Sequence, residues 1–567
     1  MERIIECVPN FSEGRDMGVI GEITAAVKAV DGVSLLDVDP GRDANRTVVT
    51  FAGSPEEVVE AAFRAAAKAA ELIDMSKHHG EHPRMGAMDV CPLVPIAGVT
   101  MEECVGYARE LAERIGTELG IPVYCYEHAA FDDRRRSLAS CRSGEYEGLE
   151  RKLRDPQWKP DFGPALFNPR SGATVVGARD FLVAFNVNLN TTSVRRANAI
   201  AFDVREKGRP TREGGTLTGR IVRDAGGEPV MIPGSLKHVR AIGWYMEEYG
   251  IAQVSMNLTD ISVTPVHQAF EEVSRKAAVR GLRVTGSELV GLIPLSAMLD
   301  AGRYFLDQQH RSAGVPDEEL IHIAARSMGL SDVKPFIPEE KIIEYAIGKK
   351  KKGFLTGKSL KDYMEVTASE APVPGGGSAS AYIGSLGAAL GTMVANLSAH
   401  KRGWDSRWKE FSEWACRGKE IQNTLLGYVD EDTASYNGLL AAYAMARSTA
   451  EEKEARKEAI EKATKEATMV PFRVLECAFS AFPLIREMVL NGNPNSVSDA
   501  AVGAIALGAC IRGAAMNVRI NAVSLADRTF AEDLVSRSGV ILDKAKAEEA
   551  AIMEIVEHVF SEKEKKG

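Results

Sequence analysis

The pattern of apolar residues changes once along this chain, near residue 359, and that change limits the fold more than any other feature of the sequence. Before it, short β-rich runs alternate with amphipathic stretches; after it come long Ala-, Glu- and Lys-rich patterns of helical period with almost no strand signal. Alternating strands and helices specify α/β layers, and helices alone specify a bundle. At 567 residues and 45% hydrophobic content, the chain has material for several cores. A multidomain protein is expected: two α/β (α+β sandwich-like) subdomains at 1–180 and 181–330, a linker at 331–358, and an all-α helical bundle at 359–567.

In the first subdomain, strands are predicted at Glu6–Val8, Val33–Asp39 and Thr47–Gly53. Helices Met17–Val30 and Pro55–Ile73 should cover one sheet face. The second subdomain repeats the alternation, with strands Leu182–Leu189 and Ala252–Asp260, helices Val194–Gly208 and Val266–Gly281, and a further run Val284–Leu295. Between them, Arg209–Gly234 has the turn chemistry of an inserted hairpin.

A net charge of −10 and a pI near 5.7 argue against a nucleic-acid binder, and the run Lys349–Lys352 reads as a solvated face. Met1–Asn10 lacks the apolar core of a signal peptide, and no uninterrupted apolar run reaches bilayer length. A soluble cytoplasmic protein with no membrane partner is expected. The eight cysteines form no CxxC pair and read as reduced core thiols, Cys91 included.

The densest chemistry lies in Asp74–Asp89, where His78, His79 and His82 stand among Lys77, Glu81, Arg84 and Asp89. Gly80, Pro83 and Gly86 force a loop. His78 and His82 have the separation of two zinc ligands on a helix, but Gly80 and Pro83 disfavour that turn, so no metal is expected. An imidazole flanked by Arg and carboxylates is a natural proton acceptor for an attacking amine, set against the plainer reading of a solvated loop. In Asp39–Arg46, Arg46 can grip a carboxylate through its planar fork, and Arg42 is as readily a solvated residue.

In the helical part, Gly375–Gly377 precedes a helix for which Ser378 is the expected N-cap, leaving free N–H groups suited to an anionic or carbonyl ligand. Gly384, Gly387 and Gly391 would let another helix approach. Along Ile421–Tyr443, the residues Ile421, Leu425, Val429, Asp432, Tyr436, Leu439 and Tyr443 recur at core-facing spacing. Asp432 thus occupies an apolar position, where burial would raise its pKa, and Asp430 falls off the stripe. Asn517 and Asn521 are one turn apart, Asn493 and Asp499 lie in or beside a polar loop, and each has an equally good structural role.

Several of these motifs carry a resemblance. ECVPNFSEG at Glu6–Gly14, LLDVDPGRDANRTVVTFAG at Leu35–Gly53 and SKHHGEHPRMGAMDVCP resemble glutamate formiminotransferase. The C-terminal third, with VDEDTASY around Asp432, resembles formiminotetrahydrofolate cyclodeaminase, so the whole chain resembles the fused bifunctional family. The resemblance implies His82, in its HPRMGA context, as base for the transfer, and an aspartate for the cyclisation. The choice of Asp432 for that role rests on periodicity. It further implies that Gly163, Pro164, Ala165, Leu166, Phe167, Asn168, Pro169, Arg170, Ser171 and Gly172 bind folate. Phe167 offers a flat face to a pterin or aminobenzoyl ring.

The implied substrates are N-formimino-L-glutamate and tetrahydrofolate, the latter polyglutamylated in the family, with no tightly bound cofactor. The implied reactions are formimino transfer followed by closure to 5,10-methenyltetrahydrofolate with loss of ammonia, as in histidine degradation and one-carbon metabolism. A homo-oligomer, an octameric ring built from dimers, is expected through the helical third. The competing readings are formyl rather than formimino transfer, and a helical part that only oligomerises.

Overall fold

The computed structural model describes residues 3–41, 45–79, 83–215, 219–348 and 354–565. The chain separates into two compact units, Met1–Met298 with Ala325–Lys349, and Leu299–Ala324 with Lys350–Gly567. The first is α/β and the second is helical.

The first unit begins with a seven-stranded mixed sheet of β1 (Ile4–Cys7), β2 (Asn10–Phe11), β3 (Ser34–Gly41), β4 (Arg46–Gly53), β5 (Met88–Ala97), β6 (Val123–Glu127) and β7 (Thr174–Ala178). Strand β3 pairs with β4, β1 and β2 lie in succession between β4 and β5, and β7 and β6 continue beyond β5 in parallel. Period-2 alternation divides its faces. Ile5, Cys7, Val49, Phe51, Val123 and Cys125 enter one core with helices α1 (Met17–Lys28), α2 (Pro55–Leu72) and α3 (Met101–Glu118). On these strands Glu6, Arg46, Tyr124 and Tyr126 alternate with those residues and take the opposite face. That face is partly covered by α4 (Leu138–Arg142) and α5 (Glu145–Leu153), through Cys141, Leu149 and Leu153. Cys91 packs in the sheet core with its sulfur 3.4 Å from that of Cys7.

A second sheet is wholly antiparallel, in the order β11 (Val239–Met246), β12 (Ile251–Leu258), β8 (Val183–Leu189) and β13 (Val284–Val290). Helices α6 (Val194–Val204) and α7 (Val266–Val279) pack on it, and Asn198 of α6 exchanges hydrogen bonds with the Gly243 backbone. The Arg209–Gly234 stretch is a hairpin, closed by β9 (Arg209–Pro210) and β10 (Met231–Ile232). Residues expected as a linker include two short helices, α10 (Pro338–Lys341) and α11 (Ile343–Ile347), where the Glu344 carboxylate accepts the Leu295 N–H at 2.8 Å. Lys349–Lys352 lie outside the described residues. Preceding α10 are α8 (Leu295–Gln308) and α9 (Asp317–Met328), whose segment 299–324 belongs to the helical unit.

The helical unit is built around α13 (Gly376–Ala399), which packs on α14 (Trp408–Ala444) and α17 (Val497–Ala522); α12 (Leu360–Thr367), α15 (Ala450–Phe479), α16 (Phe482–Asn491) and α18 (Arg528–Glu564) complete it. The three α13 glycines serve close approach as expected: a Cβ at Gly384 would stand 2.6 Å from Cys510, at Gly387 2.9 Å from the Gly503 carbonyl, and at Gly391 2.7 Å from Ile485.

Three expectations are corrected here. The N-cap of α13 is Gly375, so Ser378 lies inside the first turn and its hydroxyl is free for other work. The stripe of α14 is core-facing at Leu425 and Val429, but Tyr436 and Tyr443 are 38% and 48% exposed. Helical period marks one face and does not say what covers it. Finally, Gly376–Ala399, Ala450–Asn491 and Pro494–Ala522 are long and apolar enough to cross a bilayer by length and composition, although no uninterrupted apolar run was found. More than half of the most apolar stretch of each is buried within the structure.

Candidate active sites

The transferase candidate gathers at the loop edge of the first sheet, where three segments of the expected site are knit together. The Ala87 N–H donates to Ser171 O at 2.9 Å, the Ala173 N–H to Met85 O at 3.1 Å, and the Met75 N–H to Arg170 O at 2.9 Å. Gly172, at φ +66°, has no room for a Cβ, which would lie 2.1 Å from Met85 O. The 163–172 segment therefore seats on both flanks of the histidine loop. His82 itself lies outside the described residues, as do Arg42, Gly80 and Glu81. Phe167 stacks at a tilt on Tyr146, centroids 5.5 Å apart, while Leu166 is exposed.

His78 is buried and both its nitrogens are engaged, Nε2 with Asn45 O at 2.8 Å and Nδ1 accepting from Arg84 Nε at 3.3 Å. Burial lowers its pKa, opposed by the bond to Asn45. Asn45 also donates to His79 O at 2.9 Å, so the strand-exit loop before Arg46 holds the histidine loop in place. Arg84 is anchored in turn by Glu147 at 2.7 Å and Glu145 at 3.4 Å. His78 is thus a fixed, neutral strut.

Arg46 donates to the Asn10 side-chain oxygen, and among the described residues its buried Nε has no hydrogen-bond partner and no carboxylate forms an ion pair with it. Burial, then the neighbouring Arg142 cation, lower its pKa. Arg142 pairs with Asp89, which also accepts the Met85 N–H at 2.7 Å. A half-buried guanidinium contacted by a neutral amide is suited to an anion that supplies the counter-charge. Sequence reasoning missed Glu6, fully buried on this face, where burial pushes its carboxyl up to about 7 against the pull of Arg179. A lone charged residue inside the apolar run Ile4–Cys7 was the available signal. It also missed the pairing of Arg142 with Asp89, which spans 53 positions and leaves no local trace.

The cyclodeaminase candidate lies where α13 begins. Asp432 of α14 accepts the Ser378 hydroxyl at 2.7 Å, and its other oxygen occupies the place where a Gly377 Cβ would fall, 2.2 Å away. Burial raises the pKa of Asp432, while the Ser378 hydroxyl and N–H pull it back. Asn517 borders the same glycines, 3.4 Å from a Cβ built at Gly376. By contrast, both oxygens of Asp430 are occupied, accepting from the Leu355 N–H at 2.7 Å and the Thr356 hydroxyl at 2.5 Å, which fastens the segment before α12. Asn521 donates to Ala467 O at 2.7 Å and joins two helices, and Asn493 caps the turn before α17. Tyr363, close enough for the charge of Asp432 to act on it, was missed because α12 is distant in sequence from α14.

Family models match most of the chain in three blocks: the formiminotransferase domain, N-terminal subdomain over residues 4–179, the formiminotransferase domain over 184–348, and formiminotransferase-cyclodeaminase over 359–538. The formimidoyltransferase-cyclodeaminase of Sus scrofa is 41% identical over 558 residues, covering 98% of this chain and 99% of that protein. The chain belongs to the formimidoyltransferase-cyclodeaminase family. Its two parts also have separate relatives. A glutamate formimidoyltransferase of Streptococcus pyogenes serotype M1 is 42% identical over 306 residues, 54% of this chain and 94% of that one. A methenyltetrahydrofolate cyclohydrolase of Methylorubrum extorquens is 34% identical over 198 residues, 35% of this chain and 95% of that one. Formimidoyltransferase-cyclodeaminase architecture, an α/β part followed by a helical part, is the one described above.

Proposed function

We propose that His82 and Asp432 carry the two half-reactions of this bifunctional transferase and cyclodeaminase. In the first, N5 of tetrahydrofolate adds to the formimino carbon of N-formimino-L-glutamate. His82 takes the N5 proton and returns it to the glutamate nitrogen, whose bond to that carbon breaks. Arg46 holds a carboxylate of the donor, and the Gly163–Gly172 segment holds the folate. The observation that supports this reading is the seating of 163–172 on Met75 and on Met85–Ala87, both flanks of the loop that contains His82.

In the second half-reaction the formimino group reacts as its amidinium cation, N5–CH=NH2+: N10 adds to that carbon, and Asp432 takes the N10 proton. Asp432 then delivers it to the exocyclic nitrogen, which leaves as ammonia as the 5,10-methenyl cation forms. Its raised pKa suits a group that both accepts and gives a proton. The Ser378 N–H, at the start of α13, steadies the carboxylate when it is charged. This chemistry calls for no resident metal or redox cofactor; tetrahydrofolate, polyglutamylated or not, is a co-substrate. Formyl transfer is the competing donor chemistry, and assaying both donors with purified protein separates them.

We place the protein in the cytoplasm as a homo-oligomer, without nucleic-acid or membrane partners. All eight cysteines are free, as a reducing compartment requires. On α17, Met516 and Ile520 are 65% and 69% exposed, and Ile383, Leu386, Met393 and Leu397 form a helical-period exposed stripe on α13. Another copy covering these faces explains them, and a ring of dimers is the assembly expected. Light scattering checks it: a monomer near 61.3 kDa at micromolar concentration contradicts the proposal.

A further inference from the structure

None of the residues of α12 is fully buried, and Leu360 and Met364 are 69% and 66% exposed. Tyr363 and Val366 turn inward to half-burial. The Tyr363 ring packs on Tyr382 of α13, centroids 5.3 Å apart. Its hydroxyl is closed off from solvent and finds no hydrogen-bond partner among the described residues. From α12 the chain runs through 368–375 directly into the first turn of α13, beside Asp432.

A buried hydroxyl without a partner lowers the stability of a fold, and phenylalanine would give the same packing without that penalty. Packing therefore gives no reason for the oxygen. The competing acceptor nearby, Asp430, already has both oxygens bonded, and Asp432 is engaged by Ser378. A short helix held through two half-buried side chains belongs to the easily displaced end of a structure. We propose that Tyr363 is a substrate-binding residue of the cyclisation site, carried on α12 as a flap, whose phenol donates a hydrogen bond to the bound 5-formimino-tetrahydrofolate. This rests on the cyclodeaminase reading of Asp432.

The test is Tyr363→Phe in the full chain, assayed with supplied 5-formimino-tetrahydrofolate, with formimino transfer and melting temperature followed on the same preparation. The expected result is a KM about tenfold higher, the usual worth of one hydrogen bond to a ligand. With it, kcat and formimino transfer stay within about twofold, and the melting temperature is unchanged or raised. A KM within about twofold of wild type overturns the proposal, as does a fall confined to kcat or a loss of both activities with a lowered melting temperature. Wild-type turnover of the same substrate separates the two levels. If it is absent, the cyclodeaminase reading fails; if it is present and equal in the variant, only the role of Tyr363 fails.

Discussion

On the first sheet charge is met by charge, with Arg142 against Asp89 and Arg84 against Glu145 and Glu147, and Arg46 left to a neutral amide. At the start of α13 a single carboxylate, Asp432, is served by a hydroxyl and an N–H, and no cation pairs with it among the described residues. The difference suits the tasks proposed for the two sites. A donor carrying carboxylates needs fixed cations, whereas ring closure within one bound molecule needs a proton carrier of adjustable pKa in a dry setting. The first site is assembled from loops tied by Asn45 and His78, and the second from the flanks of long helices.

The largest effect expected from this contrast is at His82. His82→Ala should lower formimino transfer about a hundredfold or more, the usual worth of a positioned base, with cyclodeamination of supplied 5-formimino-tetrahydrofolate nearly unchanged. Transfer within about tenfold of wild type would remove His82 from the role. Next in size, Arg46→Lys keeps the charge and removes the fork, so KM for N-formimino-L-glutamate should rise about tenfold with kcat little changed. An unchanged KM would mean that the half-buried guanidinium serves the fold alone.

Asp430→Asn sharpens the contrast from the other side. It should leave cyclodeamination within a few-fold of wild type and lower stability by about 1–2 kcal/mol, since Asp430 fastens Leu355 and Thr356. A dead enzyme would move the catalytic role two residues upstream.

The smallest effects are in the pH dependence of melting, and they have opposite signs. His78 is held neutral, with its pKa lowered in the fold. Its contribution is complete above the ordinary imidazole value of about 6.5 and is lost as pH falls below it. Asp432 has its pKa raised, so it binds its proton more tightly in the fold, and stability declines as pH rises from the ordinary carboxylate value through the raised one. The melting advantage of Asp432→Asn over wild type should therefore widen with rising pH across that window, and that of wild type over His78→Asn should shrink as pH falls. Parallel curves would show that neither group titrates as its surroundings dictate.

Much of this division was legible because periodicity is a local signal. The alternation before residue 359, the helices after it and the α13 glycines are all read from spacing. Strand β11 escaped because Ile242 and Trp244 sit outward between inward Val239, Ala241 and Gly243, so apolar residues on both faces hide the period. Ser378 was misread because a hydroxyl near a helix start is usually spent on the backbone, and here it is spent on Asp432. Tyr363 and the Arg142–Asp89 pair depend on contacts between segments far apart in sequence, which no local pattern encodes.

The central claim, two separate centres with one proton carrier each, is tested most directly by Asp432→Asn supplied with N-formimino-L-glutamate and tetrahydrofolate together. Asparagine keeps the shape and can still accept from Ser378, but it cannot exchange a proton. The account predicts an assembled protein melting at or above the wild-type temperature, formimino transfer at the wild-type rate, and accumulation of 5-formimino-tetrahydrofolate with no methenyltetrahydrofolate. A well-folded variant that still forms methenyltetrahydrofolate at near wild-type rate would contradict it.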